Sequence, residues 1–145
     1  MLYSLYMKPS RLFQLNDQDK NLLASLRVEL LVLFGSQVLD IASQTSDYDF
    51  GVILQTGQLE VGHKLVYDEL YDFLSAKINL LVNIDIVFLH SAPLELQFHV
   101  AKYGKVLYEC QDQMFAKYRE SVMLKYADFA PFRYIFQAAT LARIP

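Results

Sequence analysis

Two short stretches of the chain carry side chains suited to shared chemistry. Phe34-Gly35-Ser36 is followed, after ten residues, by Asp47-Tyr48-Asp49, and a third aspartate, Asp85, interrupts the apolar stretch Asn83-Ile84-Asp85-Ile86-Val87-Phe88-Leu89. Residues two apart on a strand point to one face, with Cα atoms roughly 6.5–7 Å apart, so Asp47 and Asp49 project together. If the strand holding Asp85 is a neighbour, three carboxylates converge. They repel one another unless a cation intervenes. Hard oxygen ligands suit Mg²⁺, which is held by one or two carboxylates plus substrate phosphates. Two such ions about 3.5–4 Å apart clamp the attacking and leaving oxygens of a phosphoryl transfer. Gly35 permits a tight bend and close backbone approach. The N–H groups after it, at a helix capped by Ser36, form an anion site to which the Ser36 hydroxyl adds a donor. A triphosphate cradled there would present its α-phosphorus to metals held by Asp47 and Asp49.

Each feature alone has a plainer reading. Gly-Ser occurs in any loop, Ser-Asp-x-Asp is common at turns and caps, and a lone Asp85 fits a satisfied core carboxylate as well as a ligand. Their order is harder to explain structurally: a strand, Gly-Ser, ten residues, Asp-x-Asp on a strand, a helix, then an aspartate within a third apolar strand.

The positioning elements follow from periodicity. Leu22, Leu23 and Leu26 lie on one face of a helix over Asp17–Leu26. Val28–Phe34 is a nearly continuous apolar run, as expected of a strand buried on both faces. Ser36 caps a short helix to about Ile41, Ala42–Ser46 is a polar loop, and Tyr48–Leu54 is the second strand. Glu60–Lys77 is a helix with Val66, Leu70, Phe73 and Leu74 at helical spacing, and Asn83–Leu89 is the third strand. Ala92–Tyr103 is a helix ended by Gly104, and Lys105–Tyr108 is a short edge strand. Gln111–Phe129 is a long helix striped by Phe115, Tyr118, Val122, Tyr126 and Phe129, a stripe that suits covering the sheet. Pro131 disfavours helix at Ala130, so a separate helical piece runs on to about Arg143. Strands interleaved with helices make an α/β (α+β) fold, a small mixed β-sheet with flanking helices. The expected organisation is one domain over residues 1–145 with a C-terminal helical segment at about 111–143.

Composition narrows the function classes. The chain has 145 residues, 54% of them hydrophobic and 20% charged, which excludes a disordered chain. Lys plus Arg is 13 and Asp plus Glu is 16, a formal charge of −3. That argues against coating DNA or RNA, so no direct nucleic-acid binding is expected. The single Cys110 makes no internal disulfide, and His63, His90 and His99 are too scattered for a zinc site. His99, within an apolar helix, reads as a packed or surface residue rather than a base. Met1–Pro9 lacks the basic region of a signal peptide, and no apolar run approaches a membrane span. The expected location is the cytoplasm.

Leu33-Phe34-Gly35-Ser36 through Asp47-Tyr48-Asp49 resembles the Gly-Ser-x10-Asp-x-Asp signature of the polymerase β-like nucleotidyltransferase superfamily. Within it, the short length resembles the minimal nucleotidyltransferase (MNT) group. Ala92-Pro93-Leu94-Glu95-Leu96-Gln97 through Tyr103-Gly104-Lys105-Val106-Leu107-Tyr108-Glu109 is similar to the helix and edge strand that follow the third carboxylate there. The resemblance covers roughly residues 28 to 109. It implies that Gly35 and Ser36 contact nucleotide phosphates, that Asp47 and Asp49 bind two Mg²⁺ ions, and that Asp85 holds the catalytic metal and helps deprotonate the acceptor. It also implies ATP as substrate and a HEPN ribonuclease toxin as partner, neutralised by AMP transfer to a tyrosine hydroxyl. The chain departs from many members after Ser36, where Gln37-Val38-Leu39-Asp40 supplies no cation for the triphosphate.

About 36 residues follow Glu109, too few for a domain that grips the acceptor. The expected acceptor is therefore a protein that brings its own surface. Aromatics from Phe129 to Phe136 straddle Pro131 and suit either core packing or partner docking. The rival readings are a binding-only antitoxin that blocks its toxin by contact, and an enzyme acting on a small hydroxylated molecule.

Overall fold

A computed structural model describes residues 13–35, 38, 47–56, 63–78 and 82–142. Helix α1 spans Asp17–Ser25 and leads into β1, Val28–Phe34. Strand β2 is Tyr48–Leu54, helix α2 His63–Ile78, and β3 Ile84–Phe88. A 3₁₀ turn at Leu89–Ser91 precedes α3, Leu94–Tyr103, then β4, Lys105–Glu109, and α4, Met114–Ala142. The strands form one mixed sheet in the order β3-β2-β1-β4. β1 runs antiparallel to both β2 and β4, and β2 runs parallel to β3.

The near-continuous apolar run of β1 has the expected cause, since the sheet is covered on both faces. On one face Leu31, Leu33, Phe50, Val52 and Leu54 pack under Leu23 of α1 and Val66, Leu70 and Leu74 of α2. On the other, Leu30, Val32, Phe34 and Ile53 pack with Leu89 and Val100, and Leu96 of α3 and Phe115 and Tyr118 of α4 close over them. Burying each such side chain contributes roughly 1.5–3 kcal/mol.

Helix α1 begins at a reciprocal cap. Asn16 Oδ1 accepts from the Asp19 N–H at 2.8 Å, and Asp19 Oδ2 accepts from the Asn16 N–H at 2.9 Å. Asn16→Ala is expected to lower unfolding stability by about 1 kcal/mol in urea denaturation. Asp19 also pairs with Lys77 near the end of α2, tying the two helices together. Burial would raise the Asp19 carboxyl, but the Lys77 ammonium and the Asn16 N–H outweigh it and hold it below the usual carboxylate range. Its stabilisation is therefore complete above that range and lost as pH falls through the lowered value. Lys77→Met is expected to flatten the acid limb of a stability-against-pH curve, and an unchanged limb would refute the pairing.

Two expectations from periodicity are corrected. The break at Pro131 does not occur, because α4 runs unbroken through it. Proline removes the hydrogen bond to the Ala127 carbonyl, but both residues are exposed, so water can take that carbonyl. Arg133 Nη2 meanwhile donates to the adjacent Tyr126 carbonyl at 3.3 Å. The aromatic stripe also covers the sheet only in its first half. Phe115 and Tyr118 pack on the sheet and Val122 is buried, whereas Tyr126 stacks on Phe98 of α3 and Phe129 is exposed.

Gly104 ends α3 with extended rather than left-handed backbone, donating to the Val100 carbonyl at 2.8 Å. A methyl there would overlap the Val100 carbonyl oxygen and the Val32 side chain. Glycine is needed for this close passage from α3 into β4.

Candidate functional site

β1 ends, and β2, β3 and β4 begin, at one end of the sheet. The Tyr48 N–H donates to the Asn83 carbonyl at 3.0 Å, the first link between β2 and the segment entering β3. That link puts Asp49 opposite Asp85 in the parallel pair, and Asp49 is also opposite Phe34 in the antiparallel pair. In-register partners share a face. Phe34, Asp49 and Asp85 thus form one row across three strands. Tyr48 and Phe50 point to the other face, where their rings stack at 6.2 Å.

Asp47 lies just before β2 and is exposed, Asp49 is half-buried, and Asp85 is exposed. Burial pushes the Asp49 carboxyl above its usual value, and the charges of Asp85 and Asp47 push it further. The three carboxylates expected to meet are therefore close enough to repel. The exposure of Asp85 removes the core-carboxylate reading, because β3 is an edge strand and its aspartate stands at the open end of the sheet.

Gly35 closes β1 with φ +79°, in the left-handed region. Its carbonyl accepts from the Val38 N–H at 3.2 Å, which folds the chain into a turn. A Cβ on Gly35 would collide with Asp49 Oδ2, so the turn backbone lies directly against that carboxylate. An anion held by the turn would sit beside the acidic row. Ser36, Gln37, Asp40, the short helix expected to Ile41 and the loop Ala42–Ser46 lie outside the described residues, as do Glu60 and the segment Met1–Pro9.

The donor set suits a hard divalent cation. Burial is the larger cause of the raised Asp49 carboxyl, and the negative charges of Asp85 and Asp47 add repulsion that a cation would relieve. Among the described residues, no three His, Cys, Asp or Glu side chains converge on a single point as ligands of one ion. The carboxylates share an edge and a face without closing into a shell. Asp85→Asn is expected to raise the melting temperature in divalent-free buffer by about 1–3 °C, because it removes repulsion from Asp49. A lowered midpoint would show that Asp85 is held by a favourable contact instead.

His99 of α3 meets the ring edge of Phe34 at 6.5 Å between centroids and lies 5.1 Å from Tyr103. It packs against the end of the row, in line with its sequence reading. One group escaped that reading: Glu95 of α3 with Lys125, Phe129 and Arg133 of α4, which share a cleft. The spacing of 125, 129 and 133 on one helical face was the available signal.

Among the described residues, no helix is long and apolar enough to cross a membrane. No curated protein matches the chain in sequence. Several solved structures share its fold. A chain of a toxin–antitoxin complex with AMP-PNP superposes with a TM-score of 0.65 at 21% identity, covering 87% of this chain and 99% of that chain. A chain of the MntA–HepT toxin–antitoxin complex does so at 0.59 and 19% identity, covering 87% and 99%. A third belongs to a tri-AMPylated Shewanella oneidensis HEPN toxin in complex with MNT antitoxin, at 0.59 and 21% identity, covering 84% and 95%. The family model for polymerase beta nucleotidyltransferases matches residues 17–113, a span that contains the Gly35 turn and all three aspartates. With that match over most of its length, the chain belongs to the polymerase β nucleotidyltransferase family.

Proposed function

We propose that the protein is an antitoxin of the MNT type that transfers AMP from ATP to a tyrosine hydroxyl of a HEPN-type toxin. The carrying observation is the in-register pairing of Asp49 with Asp85 against the Gly35 turn. The relatives lend support, since one is a toxin–antitoxin complex with AMP-PNP and another contains a tri-AMPylated HEPN toxin with its MNT antitoxin.

Asp47, Asp49 and Asp85 would hold Mg²⁺, which supplies positive charge to the α-phosphate and to both the entering and leaving oxygens. The Gly35 turn, with Ser36, binds the triphosphate through backbone N–H groups and fixes the α-phosphorus beside the acidic row. The partner's tyrosine oxygen forms a bond to that phosphorus. The bond from the α-phosphorus to the bridging oxygen breaks, and pyrophosphate leaves. The phenolic proton passes toward Asp85, an exposed carboxylate on the edge strand. Orientation and electrostatics carry the rate.

Binding-only antitoxin action is the second reading. It is favoured by the run Gln37-Val38-Leu39-Asp40, which contains no cationic side chain. Co-expression with a HEPN-type toxin partner, followed by intact-mass measurement, separates the two. A toxin heavier by whole AMP groups is the expected result. An unmodified toxin held inactive in a stable complex would overturn transfer in favour of binding.

A further inference from the structure

The last fifteen or so residues of α4 extend an apolar surface into solvent. Phe129, Phe132, Tyr134, Ile135 and Leu141 are all more than half exposed, while the side chain of Phe136 lies outside the described residues. From residue 127 to 142 the only charged side chains are Asp128 and Arg133. A helix so apolar on several sides is ordinarily covered.

Where this surface leaves α3, it borders a cleft of about 400 Å³ lined by Leu94, Glu95, Gln97, Lys125, Phe129 and Arg133, among others. The Arg133 guanidinium lies over the Tyr126 ring, its Cζ 3.4 Å from the centroid, and that ring stacks on Phe98 at 3.7 Å. The stack fixes the guanidinium in place before anything binds. Nη2 donates to the Tyr126 carbonyl, but Nη1 is buried and has no hydrogen-bond partner among the described residues. It forms a long ion pair with Glu95 Oε1 at 3.8 Å, beyond hydrogen-bond distance, which leaves room for a closer acceptor. A buried donor left unmade is costly, so the site favours an incoming acceptor. Lys125, exposed on the same wall, brings the cleft to two cations against one anion on a chain whose net charge is −3.

The cleft is also distinct from the acidic row, since none of Asp47, Asp49 and Asp85 lines it. The chain leaves β3 at Phe88, opposite the end that holds Asp85, turns into α3, and returns through Gly104 to begin β4 at Lys105, opposite Leu33. Leu94 and Glu95 open α3 at its far end, one helical turn, about 6 Å along the axis, before His99, which packs on Phe34 of the row.

We propose that this cleft, with the exposed apolar face of α4 beside it, docks a carboxylate-bearing apolar segment of the partner protein, the carboxylate pairing with Arg133 and Lys125 and the apolar side chains covering Phe129 and Phe132. This rests on the toxin-partner reading given above. It adds that holding the partner and modifying it are done by different residues of the domain, so the two can be separated.

The test is titration calorimetry of the full chain with the purified HEPN-type toxin partner. Lys125→Glu and Phe129→Ala change exposed side chains, so melting curves close to wild type are expected. Each should weaken association at least tenfold, and Arg133→Gln should do the same if its fold is retained. Asp47→Asn with Asp49→Asn should bind within twofold of wild type. Wild-type binding should weaken with added salt, as a charge-assisted contact requires. If Lys125→Glu and Phe129→Ala both bind like wild type while the wild type still transfers AMP, the docking proposal fails and the transfer reading stands. If both lose binding while the wild type transfers nothing, docking stands and transfer fails.

Discussion

Asparagine at both Asp47 and Asp49 is expected to abolish nucleotidyl transfer, by at least about 10³-fold in kcat, with the fold retained. The substitution keeps volume and removes two negative charges from the acidic row. Asp49 is half-buried with its carboxyl pushed up by burial, Asp85 and Asp47, so removing its charge relieves desolvation and repulsion. The double variant should match wild type in far-ultraviolet circular dichroism and melt at the same or a higher temperature in divalent-free buffer. Mg²⁺ should stabilise the wild type and leave the variant unmoved. Transfer at the wild-type rate by a folded double variant would remove these residues from the chemistry.

The second large effect is expected at Gly35. Its φ of +79° is strained for any residue with a Cβ, at about 1–3 kcal/mol. The added methyl of Gly35→Ala would also meet Asp49 Oδ2, with Asp49 Cγ at 3.3 Å. Either the turn backbone withdraws or the carboxylate rotates away. The first loses the phosphate cradle and the second loses the metal ligand, so transfer should fall by two orders of magnitude or more on either route. Urea denaturation and a transfer assay read the two consequences separately. A variant that loses the expected stability yet transfers within a few-fold of wild type would show that the turn serves the fold alone.

Several parts of the molecule were legible without coordinates because their causes are local. Val28–Phe34 is apolar at nearly every position since it lies in the middle of a sheet covered on both faces, and the observed β1 has those same limits. Tyr48–Leu54 likewise matches β2. The α-helices were found from periodicity, with ends shifted by a few residues: Leu94–Tyr103 against an expected Ala92–Tyr103, and Met114 against an expected start at Gln111. Pro131 was misjudged because its local preference against helix was outweighed at an exposed site where the orphaned carbonyl can reach water.

What the amino-acid order determined by itself was the set of groups: a glycine able to turn left-handed after a buried strand, two aspartates one residue apart, and a third in another strand. What only the tertiary structure decided was their meeting. Nothing local to Asp85 states that β3 lies parallel to β2 with Asp85 opposite Asp49, since strand neighbours are chosen by burial of whole faces across about thirty-five intervening residues. The same is true of the α3–α4 cleft, where Glu95 and Arg133 meet because two helices cross. Side-chain chemistry is inherited from the chain one residue at a time. Proximity is a property of packing, and packing is settled by all the apolar faces together.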